Sequence, residues 1–153
     1  MKFAKTIILL VAALVVTPAF AQDDMQILRE KIKADKKLVV AVNMGLTESE
    51  AKGFWPVYDA YQKDLHKINE RLAGLIVDYA DAYNKGMVPD ATAKKLLKEA
   101  LNIEEAELKL KRAYVPKLEK ALPDWKVARY LQIETKIRAI VKYELAAEVP
   151  LVE

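Results

Sequence analysis

Residues 54–82 read FWPVYDAYQKDLHKINERLAGLIVDYADA. Within them Phe54, Tyr58, Tyr61, Leu65, Ile68, Leu72, Leu75, Tyr79 and Ala82 recur at alternating steps of four and three. A heptad seam of this length predicts one long helix, packed like a coiled coil against a long partner. The face opposite carries Asp59, Lys63, Lys67, Glu70 and Asp78, the pattern of a solvated side. Pro56 has no amide to donate and its ring crowds the Lys52 carbonyl. A kink is therefore expected near the start, eased by Gly53. The partner is legible downstream: Ala93, Leu96, Ala100, Ile103, Glu107, Leu110 and Tyr114 keep the same rhythm, with Glu107 the polar exception. Gly86 stops the first helix, and Val88-Pro89-Asp90 opens the second with Asp90 as its expected cap. About five residues join the two, so they should be antiparallel neighbours. Pro116 predicts a second kink near Arg112.

Outward from this hairpin, two more helices can be read. Asp24 to Asn43 carries Leu28, Ile32, Val39 and Val42 as a stripe, with Asp23 or Asp24 as cap and Gly45 as a left-handed stop. Leu46-Thr47-Glu48-Ser49-Glu50 then has capping-box spacing, in which the Thr47 hydroxyl and the Glu50 carboxylate each satisfy the other's amide. After Leu122-Pro123, Asp124 to Glu148 forms a fourth helix with Tyr130, Ile133, Ile137 and Ile140 in a stripe, widened by Leu131, Val141 and Leu145. Glu134 and Arg138 stand four apart in the favourable order for an ion pair, worth ~0.3–0.5 kcal/mol if exposed. The apolar tail Val149-Pro150-Leu151-Val152 is expected to dock. The fold class is therefore all-α: four helices built on a long antiparallel hairpin with proline kinks. Rising ~1.5 Å per residue, the long helix reaches roughly 55 Å, which implies an elongated or hooked molecule. A thin layer of helices leaves one side of so long a seam open, hence a homodimer or a concave exposed surface is expected.

Composition limits what such a molecule can do. The 153 residues are 53% hydrophobic and 31% charged, with four glycines, six prolines and no cysteine. That excludes thiolate chemistry and disulfides, and it disfavours a many-turned sheet. His66 and Ser49 are the sole histidine and serine, too few for a histidine-based relay. The start, MKFAKTIILLVAALVVTPAFA, has Lys2 and Lys5 ahead of an apolar run, then Pro18 and an Ala19-Phe20-Ala21 cleavage signature. Residues 1–21 thus read as a signal peptide cleaved after Ala21, leaving a single helical domain, 22–153, exported to the periplasm. Removing two lysines and no acid takes the net charge from +3 to +1, so no nucleic-acid partner is expected.

No phosphate loop, nucleophile elbow or HExxH occurs. No catalytic residue, cofactor or resident metal is expected, and the chain reads as a non-enzyme. His66 and Glu70, four apart, invite a metal, but they lack the further histidine or cysteine a site needs, and read otherwise as a solvated pair. The run REKIKADKK places Arg29, Lys31, Lys33, Lys36 and Lys37 together. It reads either as a solvated face or as a cationic binding patch. The Phe54–Tyr58 aromatics, Trp55 among them, read either as core filler or as a sticky surface for apolar segments.

The motif residues Leu46, Thr47 and Glu50, behind an exported N-terminus and opening a long helix, make the chain resemble the Spy/CpxP family of small helical periplasmic proteins with Leu-Thr-x-x-Gln motifs. Glu50 stands where that motif has glutamine, and Val88-Pro89-Asp90 lacks a second Leu-Thr. FWPVYDAYQ, RYLQIE and EVPLV are similar to an uncharacterised group of exported bacterial helical proteins. The family resemblance implies a hooked hairpin, often a cradle-shaped dimer. It also implies either ATP-independent holding of unfolded proteins or attenuation of an envelope-stress sensor. For the holding role the expected client-binding residues are Arg29, Lys31, Lys33, Lys36, Lys37, Trp55 and Tyr58, since cationic stems can cover apolar surface while their charge stays in water.

Overall fold

Apolar periodicity, a capping box and two prolines placed between helices punctuate the chain into helices alone. The computed structural model describes residues 35–152, in which four helices occur and no strand. Helix α1 covers 35–44, α2 Glu48–Tyr83, α3 Asp90–Leu118 and α4 Asp124–Glu148. The expected signal peptide, the first cap, Leu28, Ile32, Arg29, Lys31 and Lys33 lie outside the described residues.

Each boundary has a local cause. Gly45 takes φ +53° after α1, and Gly86 takes φ +116° after α2, conformations that cost glycine little. The capping box forms as spaced: the Glu50 amide donates to Thr47 Oγ1 (3.2 Å) and the Thr47 amide to Glu50 Oε2 (2.7 Å). The cap expected at Asp90 is instead Pro89; Asp90 is the first helical residue, where its charge suits the helix dipole. Pro56 and Pro116 sit within helices that continue through them.

The path is down-up-down-up. α2 and α3 form the antiparallel hairpin that the heptads announce. α4 runs alongside α2 in the same direction, since Gln62 meets Tyr130, Asn69 meets Arg138 and Tyr79 meets Pro150. α1 returns antiparallel to both, Lys37 reaching Asp59 and Lys36 reaching Glu134. α2, with 36 residues at ~1.5 Å each, is roughly 54 Å long.

The main core lies where the four helices converge. Phe54, Tyr58, Tyr61, Tyr114, Leu118, Val127 and Tyr130 pack with Val40 and Met44 of α1. Phe54 meets Tyr130 edge-on at 5.1 Å, and Tyr61 meets Tyr114 at 5.3 Å. Each such pair adds about 0.5–1.5 kcal/mol beyond its burial. The α3 stripe is found as spaced, with Leu96, Ile103, Glu107 and Tyr114 buried.

Three expectations need correction. First, the α2 seam drifts: Phe54, Tyr58, Tyr61 and Ile68 are buried, but farther on Asn69, Ala73, Ile76 and Ala80 replace Leu72, Leu75, Tyr79 and Ala82. An α-helix turns every 3.6 residues, so a 3.5-residue stripe slides off its own contact line by ~20° per heptad. Leu145 and Val149 receive the displaced line. Second, α1 buries Val40 and Met44, while Val39 and Val42 are exposed. Third, α4 buries Lys126, Val127, Tyr130 and Glu134, and Ile140 is 65% exposed. Its inner line is polar because all three other helices supply partners for it. Of the tail, Val149 packs inward and the Pro150 carbonyl accepts from Tyr79 (2.9 Å), whereas Leu151 and Val152 are exposed.

Candidate functional site

Lys36, Lys37, Trp55 and Tyr58 come together, where α1 crosses the start of α2. Lys37 Nζ pairs with Asp59 at 2.9 Å and stands 5.0 Å over the Trp55 ring and 5.7 Å from that of Tyr58. Tyr58 is buried in the core, and Trp55 packs half-buried against it. Burial, and next the Glu134 charge, push the Tyr58 phenol well above its ordinary range. Lys36 turns inward, donating to Gln62 Oε1 (2.8 Å) and Glu134 Oε2 (2.9 Å). Gln62 Nε2 donates to Glu134 Oε1 (2.8 Å) and to the Tyr130 hydroxyl (3.2 Å). This network closes over Glu134, which is 3% exposed. Stranding a buried charge costs several kcal/mol, so these groups bind one another and brace α1 onto α2 and α4. Among the described residues of the patch, cations and aromatics thus serve packing first.

Two further braces act likewise. Arg138, expected to pair with Glu134, instead contacts Glu107 of α3 and donates to Asn69 Oδ1 (3.0 Å). This explains the polar exception in the α3 stripe. Lys126 donates to the Gly45 carbonyl (2.9 Å) and to Glu50 Oε2 (2.6 Å), while Arg129 donates to the Asn43 carbonyl (2.6 Å). Two cations of α4 thereby satisfy carbonyls that α1 leaves open at its end. The Lys126 hydrogen bond holds the Glu50 carboxyl below its usual range. Of the motif residues, then, Thr47 and Glu50 fasten a corner, and Leu46 packs on the core.

His66 Nε2 lies 3.4 Å from Glu70 Oε1, both on the open side of α2. Among the described residues no three histidine, cysteine or carboxylate groups converge as a metal site would require.

Two surfaces escaped the sequence reading. On α3, Leu97, Leu101 and Leu108 are 62%, 58% and 48% exposed. They point away from the buried line, interleaved with Lys94, Lys98 and Arg112, which form no ion pair with any described residue. Two acids stand among them, and each has a cation: Glu105 pairs with Lys109 at 2.7 Å and Glu104 with Lys142 of α4 at 3.4 Å. The signal was present, since the leucines recur at helical steps out of phase with the core stripe. The second surface is a groove of about 430 Å³ between α1 and α4. Its lining includes Val39, Ile133, Ile137 and Ile140, with Arg129 and Lys136 on the same walls. No helix among the described residues is long and apolar enough to cross a membrane. Compared with known protein families, characterised proteins and solved structures, the chain matches none.

Proposed function

We propose that this is an exported, non-enzymatic holding protein that binds apolar segments of partly unfolded chains without ATP, in the manner the Spy/CpxP likeness implies. The observation that carries the reading is the outward face of α3. Three leucines over roughly three turns, flanked by cations that pair with no described residue, combine apolar contact with attraction for negative charge. A solvated helix face ordinarily carries few large apolar residues. The binding residues are thus sought on α3, with Lys94, Leu97, Lys98, Leu101, Leu108 and Arg112, as well as on the cationic run preceding α2. The buried carboxylates Glu107 and Glu134 are each engaged by a cation, as structural braces are, which supports a binding role over catalysis.

Light scattering tests it. The purified protein should suppress aggregation of two unrelated reduced or heat-denatured clients. Suppression should weaken as salt rises, because exposed charges are screened beyond ~8 Å at physiological ionic strength. Leu97→Ser, Leu101→Ser and Leu108→Ser together should remove most of it while helicity is kept. Undiminished suppression by that triple variant would refute the reading.

A further inference from the structure

We propose that the groove between α1 and α4 docks an anionic amphipathic helix from a partner protein. The groove lies apart from the leucine face of α3, and the inference does not rest on the holding role. Three observations carry it. Ile133, Ile137 and Ile140 follow steps of four and three along one wall, and Val39 faces them from α1. Such a row accepts the i, i+3 or i+4, i+7 residues of a helix laid in a groove. Ile140 is 65% exposed and Val39 45% exposed, so the row is open. Arg129 and Lys136 stand on the same walls, and no carboxylate is among the described lining residues.

The cations are set for an incoming chain. Arg129 is held by its Nε on the Asn43 carbonyl (2.6 Å), so its guanidinium costs little further ordering when it binds. Lys136 is exposed and has no ion-pair partner among the described residues. A partner with leucines on one side and glutamates on its flanks would satisfy both features. A basic helix would meet like charge there, which costs affinity and sets specificity.

Two synthetic peptides of about sixteen residues, ~24 Å as helices, provide the probe. One carries leucines at i, i+3, i+4 and i+7 with glutamates elsewhere, and its twin carries lysines in place of the glutamates. Fluorescence anisotropy with the full protein should show the acidic peptide binding at least ~tenfold more tightly. Ile140→Ser and Lys136→Glu should each weaken it about tenfold, the scale for loss of one anchor residue, with the melting temperature unchanged. Leu101→Ser on α3 should leave it unchanged, so failure here and failure of the holding role are separable. Equal binding of the twins, or indifference to Ile140→Ser, would overturn the proposal. Two other occupants would overturn it as well. A second copy would show as a concentration-dependent dimer abolished by Ile140→Ser. The chain's own N-terminal residues would show as an intrachain crosslink between Ile32→Cys and Ile140→Cys in a protein that binds neither peptide.

Discussion

At Gly53 the ends of α2 and α3 come so close that space, not backbone freedom, demands glycine. A Cβ there would lie 2.9 Å from the Ala121 Cβ and 3.5 Å from its Cα, closer than side chains tolerate. At Gly74, also within α2, a Cβ would meet nothing within 4 Å. The two alanine variants should therefore part in sign. Alanine gains up to ~1 kcal/mol over glycine inside a helix. Gly74→Ala should raise stability by roughly that amount in urea unfolding. Gly53→Ala should lose the gain to overpacking and come out ~1–3 kcal/mol less stable. A stabilised Gly53→Ala would mean that the corner of Leu118 to Leu122 yields easily. The sequence suggests a role for Gly53 beside the Pro56 kink, but not this steric one. What separates the two glycines is a contact with a residue nearly seventy positions away.

Among the elements, α2 shows where a pattern informs and where it misleads. Its existence, its caps and its pairing with α3 follow from local signals: Thr47 and Glu50 at box spacing, Gly86 at a left-handed turn, two stripes in step. The inward face of its far half does not, because a heptad written in sequence and a helix built at 3.6 residues per turn separate with distance. Truncation checks this directly. Ile76 packs in the satellite core beside Leu145 and Val149, and Leu75 is only partly buried. Ile76→Ala should cost ~2–4 kcal/mol and Leu75→Ala clearly less, measured by chemical denaturation. The reverse order would restore the unbroken seam. The same limit applied to α4. Its isoleucines suggested the buried side, yet Glu134 and Arg138 took it, because Lys36, Gln62, Asn69 and Glu107 wait on three other helices. A buried polar residue is legible only with its partner, and these partners stand from 31 to 98 residues away. The leucine face of α3 and the α1–α4 groove were missed for a related reason. Exposure of an apolar residue is decided by which neighbours arrive, and a single helix pattern does not name them.

Over the whole molecule, the tyrosines tie the helices into one titrating unit. Tyr58, Tyr61 and Tyr130 meet in the main core, and Tyr114 reaches across from α3 to donate a hydrogen bond to Asp64 Oδ2 at 2.7 Å. Burial is the first cause that disfavours each phenolate. Glu134 adds a like charge beside Tyr58, Tyr61 and Tyr130, and Asp64 does the same for Tyr114. Tyr114 is pushed up to about 12, and the other three higher still. In the unfolded chain a phenol ionises near ~10. Above that pH the unfolded chain releases protons that the fold retains, so stability is full below ~10 and falls as pH rises through the folded values. Alkaline titration should therefore be cooperative. Of seven tyrosines, these four should ionise together with the loss of helix, followed in parallel by phenolate absorbance and far-UV circular dichroism. Tyr130→Phe keeps the ring packing and removes the most strongly opposed phenol, so its transition should move to higher pH. Seven phenolates appearing smoothly near ~10, with helicity intact, would mean that water reaches these rings and that α1 and α4 do not close over α2.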